Sequence, residues 1–295
     1  MEKFIEFINY LNMEKKMALN SVTAYKKDLI EFEGFLFDRG VGSELTVNNT
    51  DLITYILKLK TEGKAGATLN RKIASLRAYY GFLFGIGAIT TNPSNNMKSP
   101  KIERKKIDYL TIGEIERLID FPDGSSKGIR DRAILEVLYA TGIRVSELSQ
   151  VNLKDVNLRI GFITCTGEFG KARIIPLGRP ARASLEEYIF KARKVLIHNE
   201  ESKEEALFVN YSGERMSRQG YWKIIKQYAQ LAGIENKISP QILRNSFAVH
   251  LIQNGADIKS LQELLGHEDM ATTKVYLETT KSRIKEVYDK THPRA

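Results

Sequence analysis

The 295-residue sequence holds a single cysteine, Cys165, so no internal disulfide can form, and no companion Cys or His stands at zinc-site spacing. Its expected place is a strand packed into a core. No run approaches the ~18 apolar residues that a bilayer span needs. The opening MEKFIEFINYLNMEKK carries acidic residues where a secretory leader needs a basic lead and an unbroken apolar stretch. No membrane partner is therefore expected, and the cytoplasm is the default location. Repeats at solenoid periods and low-complexity tracts are also missing.

What is there reads as a globular protein. Hydrophobic residues make up 42% and charged residues 27%, the balance of a chain that folds without disulfides or metal. The length suits two domains rather than one small core. The net charge of +9 favours an anionic partner. Taken alone, that excess is equally a solvated surface.

Within a first domain expected over residues 1–98, residues 1–90 read as four amphipathic helices. Phe4, Ile5, Ile8 and Leu11 share one face of the first, and Leu29, Phe32 and Leu36 mark the second. The third is expected from Asp51 to Lys60 behind a Thr50 cap. The fourth, Thr68 to Leu83, has Leu69, Ile73, Leu76 and Tyr80 on its apolar side and Arg71, Lys72 and Arg77 on its polar side. From Asn92 prolines and polar residues punctuate the chain, and Lys101, Arg104, Lys105 and Lys106 follow. Residues 99–106 are expected to be a basic linker, either a solvated charge run or a strap across a DNA backbone.

A second domain, 107–295, opens on the capping box Thr111-x-x-Glu114. Most of it reads as helix, including about Gln219–Ala232, Gln241–Asn254, Ile258–Leu265 and Ala271–Glu278. Gly161 to Pro176 alternates β-formers around GEFG and predicts a hairpin, and Ala206 to Val209 is a candidate further strand. The fold class expected is mainly α with a small antiparallel sheet.

Three segments of this domain carry a resemblance: ATGIRVSEL (Ala140 to Leu148), LRNSFAVHLIQNGADIKSLQELLGH (Leu243 to His267) and TTKVY (Thr272 to Tyr276). Together they resemble the tyrosine recombinase, or phage integrase, family. The likeness continues through SVTAYKKDLIEF (Ser21 to Phe32), RDRAILEVLYATG (Arg130 to Gly142), RMSRQGYW (Arg215 to Trp222) and the terminal HPRA (His292 to Ala295). It is greatest for the Xer branch, whose members resolve chromosome dimers.

The resemblance implies a helical DNA-binding domain of SAM-like type and an α+β catalytic domain that together clamp duplex DNA. It also implies a synaptic tetramer with itself or a related recombinase, an accessory DNA translocase as a further partner, and no metal or other cofactor. Tyr276 matches the family nucleophile, Arg144 and Arg244 the phosphate clamp, and His267 a histidine that donates to the scissile phosphate. The chemistry asks for these types, because cleaving a phosphodiester without metal needs a nucleophile, cations on the non-bridging oxygens and an acid for the leaving oxygen. Arginine forks onto two oxygens and stays charged. Read by itself, Arg244 could equally be a buried partner of Glu147. Lys26, Lys27, Arg71, Lys72, Arg77 and Arg218 are the expected DNA contacts.

Two departures stand out. Gln241 occupies the place of the usual first histidine, and an amide can hydrogen-bond but cannot take up or release a proton near neutral pH. In the hairpin Glu168 replaces the lysine expected as general acid, leaving Lys171 either to serve as that acid or merely to touch the DNA backbone. Rival readings are a mobile-element integrase, a type IB topoisomerase-like enzyme, and a DNA-binding relative with weakened catalysis.

Overall fold

Apolar residues three and four apart start the chain as helix α1 (Glu2–Met13), which buries Phe7 and Leu11 and half-buries Phe4 and Ile8. Ile5, expected on that face, is 60% exposed, so the stripe is turned towards Phe7. The computed structural model describes residues 2–100, 107–167, 170–198, 204–234, 238–267 and 269–277. The chain divides into two units, Met1–Lys105 and Lys106–Ala295. Of the sequence expectations, Lys101 to Lys106, Glu168 and the terminal 292–295 lie outside the described residues.

The first unit packs α1 with α2 (Leu19–Asp38), α3 (Asn49–Thr61) and α4 (Gly66–Gly85). Aromatic rings fill the centre, with Phe32 edge-on to Tyr55 and Phe7 edge-on to Tyr79. The cap of α3 is Asn48, not Thr50. Its Oδ1 accepts from the amides of Thr50 (2.8 Å) and Asp51 (3.2 Å), while Asp51 accepts from the Asn48 amide at 3.1 Å.

A second correction concerns Lys72. It is not on a solvated polar face but 3% exposed, its ammonium 3.1 Å from Asp28 and 2.8 Å from Glu31 of α2. Ser75 donates to the same Asp28, and Arg71 also pairs with it. A buried Asp28 requires this company, because an unpaired carboxylate in a core is costly. The cluster ties α4 to α2 and leaves Lys72 unable to meet a phosphate in this arrangement. Lys26, Lys27, Arg71 and Arg77 are exposed.

In the second unit, α5 (Ile112–Asp120) starts at the Thr111–Glu114 capping box that the sequence announces. Helix α6 (Ser126–Thr141) is the central one, buried on several sides through Ala133, Ile134, Leu135, Val137 and Leu138. It contacts α5, α8 (Arg179–Glu187), a π-helical turn at Tyr188–Ala192 continuing into α9 (Arg193–Ile197), and α11 (Pro240–Gln253). Between α6 and α8 lie the one-turn α7 (Val145–Leu148) and a three-stranded antiparallel sheet. Its strands are β1 (Val156–Asn157), β2 (Phe162–Thr166) and β3 (Ala172–Pro176).

The hairpin register pairs Ile163 with Ile175 and Cys165 with Arg173. Alternation sends Ile163, Cys165 and Ile175 inward, which gives Cys165 its expected packed position; burial raises its thiol pKa to about 11. The 206–209 segment is buried but makes only isolated bridges, Asn152 to Ala206 and Val209 to Arg215. Helices α10 (Arg218–Leu231) and α12 (Ile258–Leu265) and a helical stretch at 270–277 complete the unit. Mainly α with a small antiparallel sheet is the class observed.

Candidate active site

The site is gathered from five pieces: the turn after α6, β3, α11, the end of α12 and the helix at 270–277. Gly142 makes the first possible. It closes α6 in the left-handed conformation (φ 57°), and a Cβ there would stand 2.4 Å from the Phe247 ring of α11. The tight turn puts Arg144 at the N-cap of α7.

Glu147, 6% exposed, receives the arginines. It accepts from the Arg144 amide (2.9 Å), the Arg144 guanidinium (3.0 Å) and both terminal nitrogens of Arg173 (2.8 Å each). Burial pushes its carboxyl pKa up, but the Arg173 and Arg144 hydrogen bonds outweigh this and hold it below the usual carboxylate range. Arg173 also donates from Nε to the Leu264 carbonyl at 2.8 Å. Gly266, at φ 63°, permits the close approach, since a Cβ there would meet the Arg173 guanidinium at 2.8 Å.

Arg244 does not pair with Glu147. Buried on α11, it donates to the carbonyls of Gly142 (2.5 Å) and Leu265 (2.6 Å) and lies 3.0 Å from His267 Nε2. A guanidinium only donates, so that ring nitrogen must accept and His267 must be neutral. The remaining proton is then on Nδ1, which donates to Thr273 Oγ1 at 2.9 Å. The electrostatics agree: burial and the nearby Arg244 and Arg144 lower the His267 pKa to about 4. Arg244 itself is lowered to about 10 by burial and Arg144, and stays cationic at neutral pH.

Tyr276 is 4% exposed and donates to Asn245 Oδ1 at 3.2 Å. Burial raises its hydroxyl pKa, and the Arg244 and Arg144 charges oppose that rise. Gln241, one turn earlier on α11, donates to the same Asn245 oxygen at 2.9 Å. Lys171 is exposed just before β3, two residues from Arg173. Arg218 is exposed at the start of α10.

Arg144, Arg244, His267, Tyr276 and Gln241 thus meet in one neighbourhood, with Lys171 immediately before the strand that delivers Arg173. Sequence reasoning passed over Arg173 and Asn245 as site residues. An arginine on the inward face of an alternating strand was the signal for the first; nothing local marks the second. Among the described residues no cluster of His, Cys, Asp and Glu is placed to hold a metal ion. No described helix is long and apolar enough to cross a membrane. The arrangement offers an oxyanion two preset guanidiniums beside a buried phenol.

The phage integrase family model matches residues 108–283, and the N-terminal SAM-like domain model of phage integrases matches residues 4–85. The chain belongs to the phage integrase family. It is 41% identical over 291 residues to tyrosine recombinase XerD of Oceanobacillus iheyensis, covering 98% of each chain. To tyrosine recombinase XerC of Herpetosiphon aurantiacus it is 39% identical over 280 residues, 94% of this chain and 90% of the other. Among solved structures, the XerH recombinase bound to a palindromic difH substrate in a post-cleavage complex has a TM-score of 0.77 at 22% identity, covering 97% and 88%. The Tn1549 transposon integrase with transposon right-end DNA has a TM-score of 0.74 at 19% identity, covering 97% and 99%. These two likenesses are of fold. Family membership carries the enzyme class, site-specific breaking and rejoining of DNA.

Proposed function

We propose that the chain exchanges DNA strands at a specific duplex site through a 3′-phosphotyrosyl link to Tyr276, in the resolution of chromosome dimers. The observation that carries the reading is the Tyr276 hydroxyl, buried beside Arg244 and Arg144 and ordered by a hydrogen bond. The phenolic oxygen attacks the scissile phosphorus and releases its proton to solvent water, while Arg144 and Arg244 take the charge that builds on the non-bridging oxygens. The bond to the 5′ oxygen breaks, and Lys171 gives that oxygen its proton. Energy stored in the phosphotyrosyl bond is returned when a 5′ hydroxyl of the partner strand attacks in reverse.

His267 enters this scheme through its Nε2. In the present arrangement that nitrogen accepts from Arg244, so donation to a phosphate requires the proton to move from Nδ1 to Nε2, with the Thr273 hydroxyl turning from acceptor to donor. Lys26, Lys27, Arg71, Arg77 and Arg218 are the exposed cations assigned to the DNA backbone. A synaptic tetramer, with itself or a related recombinase, and an accessory translocase belong to the same reading, as does action in the cytoplasm. The near full-length similarity to XerD and XerC proteins supports dimer resolution over mobile-element integration.

The test is covalent trapping on nicked DNA carrying the site that the protein selects from genomic fragments. Wild type should form a protein–DNA adduct, and Tyr276→Phe should bind equally and form none. An adduct with Tyr276→Phe would reassign the nucleophile. A selected site at an element end rather than near the replication terminus would replace dimer resolution by integration.

A further inference from the structure

Asn245 has three hydrogen bonds that fix its amide completely. Its Nδ2 donates to the Asp108 carbonyl at 3.0 Å, which decides which end is oxygen, since a carbonyl can only accept. The oxygen therefore faces the opposite way, where it accepts from Gln241 Nε2 at 2.9 Å and from the Tyr276 hydroxyl at 3.2 Å. Asn245 follows Arg244 directly on α11. The helix thus sets a phosphate-binding cation and the acceptor for the phenol from adjacent positions.

We propose that Asn245 is a positioning residue for Tyr276, its carbonyl oxygen drawing the hydroxyl hydrogen aside so that the oxygen's lone pairs are turned towards the phosphate. Gln241 holds that carbonyl in place. This rests on Tyr276 being the nucleophile and gives Gln241 a task that needs no proton transfer. An amide oxygen is too weak a base to keep the phenol proton, so Asn245 only orients the hydroxyl; the proton passes to solvent water as the oxygen attacks, and the Arg244 and Arg144 charges favour that loss. The fixed amide also removes the rotational freedom of the O–H bond, an ordering of the attacking group that accelerates reaction without new contact to DNA.

The experiment is single-turnover adduct formation by the full-length protein on nicked site DNA at saturating concentration, with DNA affinity and thermal midpoint measured in parallel. Asn245→Ala should slow adduct formation about tenfold, the scale of one modest hydrogen bond, with unchanged DNA affinity. Gln241→Ala, which only loosens the amide, should slow it two- to threefold, ~2–3. Asn245→Asp keeps an acceptor oxygen and should recover part of the rate. Its rate should also climb with pH through the carboxylate range, about 4 to 6, a dependence that a purely structural role would not create. Wild-type rates in a folded Asn245→Ala would overturn the inference. If Asn245→Ala does not fold, an Asn245→Asp profile superimposable on wild type would do so. An adduct formed by Tyr276→Phe would instead overturn the nucleophile reading beneath it.

Discussion

Replacing Glu147 with Gln removes one negative charge from the carboxylate that holds Arg144 and Arg173. Glu147 accepts four hydrogen bonds, two from Arg173, and its side chain is 5% exposed. Removing one partner of a buried ion pair costs about 3–5 kcal/mol, because the other charge stays buried without compensation. Here the amide keeps one acceptor oxygen, and the Arg144 side chain is 41% exposed, so water can solvate part of what it loses. The expected loss is therefore about 2–3 kcal/mol. In a unit of this size 1 kcal/mol corresponds to roughly 2–4 °C. The thermal midpoint of the catalytic unit, followed by calorimetry on the full chain, should fall by about 4–12 °C at pH 7.

The pH dependence provides an internal check. The folded-state pKa of Glu147 is lowered, so its charge contributes stability above the unfolded carboxylate value and loses it as pH falls through the folded value. The gap between wild type and Glu147→Gln should be full above about pH 5 and shrink at lower pH. A shift at pH 7 of less than about 1 °C, or a gap that widens on acidification, would refute the view that Glu147 anchors the two arginines.

Other outcomes follow from the same geometry. Arg244→Ala should lower adduct formation by about a hundredfold or more, the scale of losing an oxyanion donor, as measured in single turnover; less than threefold would contradict a phosphate clamp. Lys171→Ala should be slow on normal DNA and recover on a substrate with sulfur at the 5′ leaving position, because a thiolate leaves without a proton. Failure of the sulfur substrate would remove Lys171 from acid catalysis. Lys26→Glu with Lys27→Glu should weaken DNA binding and flatten its salt dependence, whereas Lys72→Met should lower the midpoint of the N-terminal unit and leave the salt slope alone. Equal effects on binding from both would contradict the burial of Lys72.

Local rules made much of the fold legible. The Thr111–Glu114 capping box, the hairpin flanking GEFG and the span Ile258–Leu265 are each decided by residues within a few positions, and each forms where the sequence places it. The misreadings share a cause. Lys72 looks polar by type but is captured by Asp28 and Glu31, some forty positions away. Ile5 fits the apolar stripe of α1 but loses its place to Phe7, which finds Tyr79 and Phe82 to pack against. Ala206 to Val209 has the composition of a strand but no neighbour offering a continuous ladder, so burial alone is satisfied. Periodicity reports which residues could be inside; only the tertiary partners decide which are.

The same distinction orders the candidate site. Arg144, Arg173 and Arg244 are held by protein atoms before any phosphate arrives, through Glu147 and the carbonyls of Gly142, Leu264 and Leu265. Changing any of them would strand buried partners as well as remove a cation. Gln241 is exposed on α11, with its amide donating to Asn245, and Lys171 is exposed beside the hairpin turn. Substitution there disturbs few internal contacts. The two departures from the family pattern, at 241 and in the hairpin turn, thus fall at or beside positions with slight tertiary commitment. In the proposed reaction the preorganised guanidiniums would supply most of the charge stabilisation, while the proton for the leaving oxygen, a smaller contribution to rate, would come from the exposed Lys171.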